Sequence, residues 1–276
     1  KWTCCDKPIF GAPCSGEADH QVTIYRPGHH EMNWKYHKTP STPTTDSNQF
    51  VTAVALDCEM GSAESGESEL IRLTAIDFFN GKVLVDSLVY PDVRMAHYNT
   101  RFSGVTRGAM EAARRKRSCL FGRDAARKAL WQFVGPDTIV IGHGANGDMT
   151  SLRWIHTRMT DTYIIESWIH KRIEQQRLRL EAKEAEEEAA AEEEAAAALQ
   201  VTDGTPDPQI TSSNINSPVT KPSAALPKHP GLSLKALALA RLGREIQHKG
   251  RGHDSLEDAM ATRDLLIWHV KTQAAL

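Results

Sequence analysis

The chain has 276 residues, of which 40% are hydrophobic and 25% are charged, and its formal net charge is −2 at pH 7. These proportions are ordinary for a globular protein with a sizeable core. No apolar run approaches the roughly 18 residues that a membrane-spanning helix needs, so we expect no membrane partner. The five cysteines are not spaced as in a disulfide scaffold, which indicates a reducing compartment. Because Lys1 is not preceded by a methionine or a leader, we expect a piece of a longer protein.

The charge is distributed unevenly along the chain. Residues 181–199 carry eight glutamates and one lysine, which leaves a net charge of +5 on all other residues together. A mildly basic body suits a polyanionic partner, but it does not identify one.

The chain begins with a segment that differs in composition from the rest. Residues 1–37 are rich in Cys, His, Trp and Gly, and a Pro/Ser/Thr-rich stretch follows them. Such a stretch cannot bury apolar area, so we interpret residues 38–49 as a linker. The globular region is then predicted to begin at residue 50.

Three strands are predicted at the start of the globular region. Residues 51–60 form a short apolar run that favours β-structure and has no helical period, which predicts a buried strand. Residues 70–79 and 83–90 are similar runs, and the pair Asn80-Gly81 lies between them. Asn-Gly between apolar runs is a strong hairpin signal, so we predict that these two strands are antiparallel.

Helices and strands alternate in the next part of the chain. The spacing of apolar residues predicts a helix over 123–134, a strand over 138–142, a helix over 148–156 and a strand over 161–165. A hairpin followed by such alternation predicts an α/β fold, in which a mixed five-stranded sheet is flanked by helices.

An insertion is predicted before the chain returns to the domain. Residues 169–199 are predicted to form one long helix whose second part is polar on all sides, so we interpret it as a solvated excursion, with a protein partner for its acidic face as the alternative. Residues 202–229 are rich in Pro, Ser, Thr and Asn and are predicted to be disordered. Helices are predicted again from residue 232, closed by Gly243, and over 256–271.

Acidic residues follow the predicted buried strands. Asp57 and Glu59 are two apart on a strand, so their side chains point the same way, and a divalent cation would relieve their repulsion. Asp148 follows the strand over 138–142, at the sheet edge where α/β proteins place their sites, although it could equally be a helix N-cap or an acid in the first turn of a helix.

A histidine and a further acid lie at the start of the last predicted helix. Ser255 is a candidate N-cap with Asp258 three residues later, which places Asp258 in the first turn and His253 in the loop before it. Asp258 is then either a capping residue only or a fourth metal ligand beside a base.

Four segments of the sequence, in the order in which they occur, resemble the signature segments of the DEDDh 3′→5′ exonucleases, and in particular of the eukaryotic REX-type RNA exonucleases. The blocks are Leu56-Asp-Cys-Glu-Met60, Asn99-Thr-Arg-Phe-Ser-Gly-Val105, Gly142-His-Gly-Ala-Asn-Gly-Asp148 and His253-Asp-Ser-Leu-Glu-Asp258. The resemblance implies a ribonuclease-H-like exonuclease domain over residues 50–172 and 231–273, interrupted by the insertion over residues 173–230.

The resemblance also implies a reaction. Asp57, Glu59, Asp148 and Asp258 would hold two Mg²⁺ or Mn²⁺ ions, while His253 would take a proton from the attacking water. The expected activity is 3′→5′ hydrolysis of single-stranded RNA from its 3′ end with release of 5′-mononucleotides, in RNA processing or turnover. We expect a nuclear or nucleolar location, with the cytoplasm as the alternative. A DNA 3′→5′ exonuclease and a catalytically silent RNA-binding scaffold are the alternative functions.

Substrate contacts are implied by two of the blocks. The candidate substrate-binding residues are Met60, Phe102, Ser103, Gly104 and Val105. Phe102 or Val105 would pack on a base and Ser103 would reach the sugar or phosphate. For Phe102, a place in the core is the alternative.

Two further groups are ambiguous in the sequence. Cys5, Cys14 and His20 resemble a small zinc-binding block that precedes the nuclease in some REX-type proteins, and free thiols and a surface histidine are the alternative. The basic run Arg114-Arg-Lys-Arg117 is either a phosphate-contacting or nuclear-import patch or a solvated helix face.

Overall fold

The computed structural model describes residues 10, 27–41, 50–200, 229–248, 250 and 252–274. The chain divides into two compact units, residues 1–36 and 37–276. In the described part of the first unit, helix α1 spans His29–Trp34. The predicted zinc ligands Cys5, Cys14 and His20 lie outside the described residues, as do most of the predicted linker and most of the stretch predicted to be disordered.

The described part of the second unit contains strands and helices in alternation. The strands are β1 (His37–Lys38), β2 (Ala53–Ala63), β3 (Ser68–Asp77), β4 (Val83–Tyr90), β5 (Met95–His97), β6 (Leu120–Phe121), β7 (Ile139–Gly142), β8 (Trp154–Ile155) and β9 (Met159–Asp161). The helices are α2 (Thr100–Ser103), α3 (Arg107–Lys116), α4 (Gly122–Leu130), α5 (Asn146–Leu152), α6 (Thr162–Gln200), α7 (Leu234–Leu242) and α8 (Ser255–Ala274).

The main sheet is mixed, as the sequence predicts. Its order is β6-β4-β3-β2-β7-β9, and β5 pairs with β2 outside this path. Strands β2, β3 and β4 are antiparallel neighbours, which confirms the predicted Asn80-Gly81 hairpin, whereas β7 runs parallel to β2 and β9 parallel to β7. Four of the five predicted strands are present, a strand near the fifth lies at Met159–Asp161 instead of over 161–165, and the short strands β5 and β6 bring the sheet to seven strands among the described residues.

Helices cover both faces of this sheet. On one face, Val54 and Leu56 of β2 pack with Leu130 of α4 and Leu152 of α5. Burial of a side chain of this size contributes about 1.5–3 kcal/mol to folding, so this core holds the sheet and the two helices together. On the other face, α8 packs against β2, β3 and β7. Strand β2 therefore lies at the centre of the unit and is covered on both sides.

Several predicted boundaries are wrong by a few residues. The strand predicted over 161–165 is wrong: the strand β9 spans Met159–Asp161, the Asp161 Oδ1 accepts the Tyr163 N–H at 2.9 Å, and the chain continues as helix α6 from Thr162. Helix α5 ends at Leu152, since the following residues pair as β8 with β1. Helix α4 ends at Leu130 rather than at residue 134.

Helix α6 is anchored to the rest of the unit by one buried acid. Glu166 is fully buried, and its Oε2 lies 2.7 Å from His229 Nε2 while its Oε1 lies 3.1 Å from His269 Nε2. The Arg241 Nε and Nη2 atoms both donate to the same carboxylate at 3.3 Å. Glu166 thus joins α6 to α7, to α8 and to the point where the described chain resumes. Among the described residues, no helix is both long enough and apolar enough to cross a membrane.

Candidate active site

The two strand acids lie on the face of β2 that α8 covers. Ala53 and Ala55 of this strand pack with Ala259 of α8. Because side chains alternate between the faces of a strand, Asp57 and Glu59 continue the same row. Along this row of side chains, two alanines are therefore followed by two acids, and the acids lie near the start of α8.

Helix α8 brings the predicted acid and base to this row. The ligand atoms of Glu59, His253 and Asp258 all lie within 4.8 Å of one another. Asp258 is buried, and its Oδ2 accepts the Gln247 Nε2–H at 2.9 Å and lies 3.6 Å from His253 Nδ1. The Asp258 Oδ1 is also buried but has no hydrogen-bond partner among the described residues. A buried carboxylate oxygen without a donor, beside a second carboxylate, fits the ligand set of a hard divalent cation.

Asp148 reaches the same strand from α5. The helix begins at Asn146, so Asp148 lies in its first turn, but its Oδ1 accepts the N–H of Cys58 at 3.2 Å instead of an N–H of its own helix. Asp148 is therefore not an N-cap, whereas the predicted alternative of an acid in a first helical turn describes its position correctly. The Asp148 carboxylate is held against β2 at Cys58, which lies between Asp57 and Glu59.

The acids raise one another's pKa. The pKa of Asp57 is raised well above its usual value by removal from water and by the charges of Asp148 and Asp258. Burial and the charge of Asp258 raise the pKa of Glu59 to about 8, although Arg72 opposes this, and burial raises the pKa of Asp148 to about 8. Buried like charges need a compensating cation if all of them are to ionise at neutral pH, and a bound metal ion supplies it.

The loop that carries His253 is fixed to α2. The His253 N–H donates to the Phe102 carbonyl, with an N–O distance of 2.5 Å. Next to it, Gly252 has a φ of +75°, and a Cβ at this position would lie 2.5 Å from the Gly104 Cα. Only glycine permits this approach of the two backbones. The histidine and the segment 100–104 therefore form one continuous surface.

This surface opens onto a cleft of about 720 Å³. His253 and three of the predicted substrate-binding residues, Ser103, Gly104 and Val105, lie along it. The other lining residues are Arg72, Asp86, Ser87, Leu88, Ala109, Ser118, His248, Gly252, Asp254 and Glu257. The structure thus brings the candidate base and the candidate substrate segment into one cavity.

The five candidate substrate-binding residues differ in their surroundings. Ser103 is buried, and its hydroxyl donates to the Tyr98 carbonyl at 2.7 Å and accepts the Val105 N–H at 3.1 Å, so it holds the turn. Phe102 is 62% exposed, so its predicted alternative place in the core is wrong. Met60 is half-buried against the core.

Arg72 is a residue of the site that was not predicted from the sequence. It lies on β3 opposite Glu59, lines the cleft and forms ion pairs with Asp86 and Asp254. An arginine inside the apolar run over residues 70–79 was the only signal in the sequence. Its partners lie on β4 and in the loop before α8, so the spacing along the chain did not connect them.

The predicted cap of α8 is displaced by one residue. Ser255 is the first residue of the helix, and its hydroxyl lies 2.6 Å from the Thr74 hydroxyl on β3. The side chain of Asp254 caps the helix instead, because its Oδ1 accepts the Leu256 N–H at 3.1 Å. The capping role predicted for Ser255 is therefore wrong.

Comparison with known proteins identifies sequence relatives. The chain is 33% identical to RNA exonuclease 3 of Saccharomyces cerevisiae over 168 residues, which cover 56% of this chain and 39% of the relative. It is 26% identical to RNA exonuclease 3 of Emericella nidulans over 295 residues, which cover 97% of this chain and 37% of the relative. The chain therefore spans less than half the length of the curated relatives it matches. No protein-family model matches it.

Solved structures share the fold. The Pan2 catalytic unit of Neurospora crassa superposes with a TM-score of 0.52 at 17% identity, over 88% of this chain and 31% of that one. The Pan2 module of Saccharomyces cerevisiae in complex with A7 RNA superposes with a TM-score of 0.51 at 18% identity, over 89% of this chain and 33% of that one. The chain is therefore similar in sequence to curated RNA exonucleases, and it shares its fold with the nuclease-containing Pan2 structures.

Proposed function

We propose that the chain hydrolyses single-stranded RNA from its 3′ end in a metal-dependent reaction and releases 5′-mononucleotides, in RNA processing or turnover. One observation carries this proposal: Glu59, His253 and Asp258 meet beside Asp57 and Asp148, and His253 also lines the cleft that the segment 103–105 borders. The relatives named RNA exonuclease 3 and the Pan2 structure with RNA support RNA as the polymer.

The four acids are proposed to hold two Mg²⁺ or Mn²⁺ ions. Asp57, Glu59, Asp148 and Asp258 supply only oxygen ligands, which these hard cations prefer, and the unpaired Oδ1 of Asp258 is available for one of them. Bound divalent ions neutralise the charge of the phosphodiester and lower the pKa of water.

His253 is proposed to act as the base. Its Nδ1 lies 3.6 Å from Asp258 Oδ2, which leaves the other ring nitrogen for a water molecule in the cleft. The Asp258 carboxylate orients the ring and stabilises its protonated form after the proton transfer. The bond from the His253 N–H to the Phe102 carbonyl fixes the backbone, so that the ring keeps its position during turnover.

The segment 100–105 is proposed to hold the terminal nucleotide. The exposed ring of Phe102 is available for stacking on a base, and the Arg101 guanidinium lies 5.7 Å from its centroid. Gly104 adopts a φ of +67° and leaves its backbone open to the cleft, where a sugar or phosphate can approach. Met60, packed against the strand below, is proposed to support the floor of this pocket.

End-labelled oligonucleotides test the proposal directly. With Mg²⁺ or Mn²⁺, the chain should shorten a 5′-labelled single-stranded RNA stepwise and release 5′-mononucleotides, and EDTA should stop the reaction. The same sequence as DNA distinguishes the alternative polymer, because a protein that reads the 2′-hydroxyl degrades the RNA faster. Activity that persists in EDTA, or release from the 5′ end first, would contradict the proposal.

A structural zinc ion in residues 1–37 is also proposed, with Cys5, Cys14 and His20 as ligands. Structural zinc sites have four ligands, so these three residues together with a fourth would form a closed site. Metal analysis of the purified chain should find about one zinc per molecule, and Cys14→Ala should lose it together with thermal stability. Cys119→Ala is the matched control, because Cys119 lies far from this segment in sequence. A zinc-free chain with the parent's melting temperature would refute the site.

A nuclear or nucleolar location and a protein partner for the acidic part of α6 complete the proposal. The exposed basic run at residues 114–117 supports nuclear import, and the exposed glutamates of α6 support a basic partner. Microscopy of the tagged full-length protein tests the location, and a fully cytoplasmic signal would contradict it.

A further inference from the structure

Helix α3 forms one border of the cleft that contains His253. Ala109, in the first half of the helix, and Ser118, just after its end, both line the cleft. In an α-helix, residues seven apart lie on the same side, about 10 Å apart along the axis. Lys116 is seven residues after Ala109, so it follows Ala109 on the cleft side, at the end of the helix away from α2.

The last turn of α3 is strongly basic. Arg115, Lys116 and Arg117 are exposed, and in the described part of the chain no ion pair or hydrogen bond engages their charged groups. Arg114 differs, because its Nε lies 2.8 Å from Glu111 Oε2 and its guanidinium covers the Tyr90 ring at 5.5 Å. Three cations therefore remain available to a polyanion, next to the one that is already paired.

An exposed aromatic ring lies on the face of the sheet against which α3 packs. Phe121 of β6 pairs with Tyr90 of β4, and its side chain is 49% exposed. Its neighbour Leu120 packs into the core on the opposite face. Because side chains alternate along a strand, Phe121 projects on the face where Leu88 lines the cleft and where α3 packs.

We propose that these groups form a second RNA-binding surface, the upstream ridge, which consists of Arg115, Lys116, Arg117 and Phe121. It holds the single strand on the 5′ side of the cleaved bond, with the cations on phosphates and the ring stacked on a base. Cationic side chains interleaved with aromatic rings are the usual means of binding single-stranded nucleic acid without sequence preference. This inference rests on the proposed exonuclease function.

The location of the ridge gives it a length-dependent role. A terminal nucleotide at His253 occupies the segment 100–105, whereas α3 extends the border of the cleft by a further two helical turns. A very short RNA fills only the part of the cleft beside His253 and the segment 100–105, whereas a longer RNA reaches the ridge. The ridge therefore increases the affinity for long substrates and makes successive cleavages without release more frequent, because the strand stays bound while its end is shortened.

RNA length is the variable that tests the ridge. In the full chain, R115Q/K116Q should lower kcat/KM for a dodecanucleotide about tenfold, and F121L should lower it about five- to a hundredfold. Both variants should cleave a tetranucleotide at the parent's rate. The slope of log affinity against log salt for the dodecanucleotide should fall by about 0.7 for each phosphate that the variant no longer neutralises. The matched control K171Q/R179Q removes two exposed cations of α6 and should leave both RNAs unaffected.

The outcomes separate the ridge from the function on which it rests. If the parent chain shortens neither RNA, the proposed function fails, and the affinity measurements still decide whether the ridge binds RNA. If the ridge variants lose equal activity on both RNAs, match the parent on both, or behave like the α6 control, the ridge is not an RNA site and the inference is wrong. Unchanged cleavage of the tetranucleotide shows that a variant is folded.

Discussion

Arg72 connects the sheet to the residue that directly follows the candidate base. Its Nη1 lies 3.1 Å from Asp254 Oδ1, while its Nε and Nη2 donate to the two carboxylate oxygens of Asp86 at 3.0 and 3.2 Å. Asp254 in turn caps α8 through Leu256. One guanidinium thus holds β3, β4 and the start of α8 in a fixed arrangement, and it does so through a planar fork that lysine cannot reproduce.

We expect Arg72→Gln to lower kcat about ten- to a hundredfold with a smaller effect on KM, because the loop with His253 and the helix with Asp258 lose their fixed position. Arg72→Lys should recover only part of the rate. The pH profile should also change, since Arg72 lowers the pKa of Glu59. Steady-state kinetics between pH 6 and pH 9 measure both effects.

Arg158→Gln is the matched control for Arg72, because Arg158 forms an exposed pair with Asp137 and does not line the cleft. Exposed pairs contribute about 0–1 kcal/mol, so this variant should behave like the parent. An Arg72→Gln protein with the parent's kcat and pH profile would contradict the positioning role.

The roles of the acids and of the base can be separated by variants of each. Asp57→Ala and Asp258→Ala should weaken Mg²⁺ binding and abolish turnover, since too few ligands remain. His253→Ala should retain metal and RNA affinity but lose about two to four orders of magnitude in rate, with partial recovery at high pH where hydroxide needs no base. Calorimetry with Mg²⁺ and single-turnover rates on the same proteins provide the measurements.

Two results would contradict these roles. A His253→Ala protein as fast as the parent would show that His253 is not the base. An active Asp57→Ala protein would show that Asp57 does not hold a catalytic metal ion. Glu64→Ala is the control, because this exposed acid lies beyond the site at the end of β2.

The raised pKa values predict how stability depends on pH and metal. Glu59 and Asp148 both have a pKa of about 8 in the folded chain, against usual values of 4.5 and 3.8. At a pH between the unfolded and the folded pKa values, these two carboxyl groups bind more protons in the folded state than in the unfolded state. The metal-free chain should therefore lose stability as the pH rises from about 4 to about 8. Mg²⁺ should restore it, with a larger rise in melting temperature at pH 9 than at pH 6.

Thermal unfolding in EDTA and in Mg²⁺ at the two pH values measures this effect. The double variant Glu59→Gln/Asp148→Asn is the control, since neither amide ionises, and it should show a much smaller dependence on pH and on metal. If the metal-free parent chain is equally stable at pH 6 and pH 9, the pKa values of Glu59 and Asp148 are not raised in the folded state.

The anchor of α6 should respond to pH in the opposite direction. Burial raises the pKa of Glu166, but the close polar contacts of its carboxylate with His269, Arg241 and His229 outweigh burial and lower the pKa from 4.5 to about 2. The folded state then binds fewer protons than the unfolded state, so the stabilisation is complete above about pH 4.5 and is lost as the pH falls towards about 2.

Glu166→Gln should therefore destabilise the chain by about 3–5 kcal/mol at pH 7, because Arg241 loses its buried ion-pair partner, and should flatten the acid unfolding curve below pH 4.5. Chemical denaturation across this pH range measures both changes. Glu174→Gln, in an exposed pair with Arg177 on the same helix, is the control. Equal stability of the two variants would show that Glu166 does not anchor α6.

The strand acids were predictable because they follow from alternation within one strand. Asp57 and Glu59 are two residues apart, and β2 is buried on both faces, so the period of two placed both carboxylates on the α8 side. The conjunction with Asp148 and the last helix then predicted which end of the sheet holds the site. These inferences needed only local structure and the order of elements.

Interactions between distant segments were not predictable in this way. The bond between Thr74 and Ser255 joins residues that are 181 apart in the chain, and it is this bond that takes Ser255 away from the capping position. The run from Thr162 to Ile165 favours β-structure locally, yet the Asp161 side chain caps a helix there. In both cases a side-chain hydrogen bond outweighed the local propensity of the segment.

The placement of the site on both sides of α6 has a consequence for synthesis. Asp57, Glu59 and Asp148 precede α6, whereas His253 and Asp258 follow it at the start of α8. A nascent chain that has emerged only as far as α6 contains all the described strands of the sheet, but it has neither the candidate base nor the last candidate acid. The candidate site is therefore complete only after α8 has been synthesised, which makes the last helix of the chain the element that brings its two halves together.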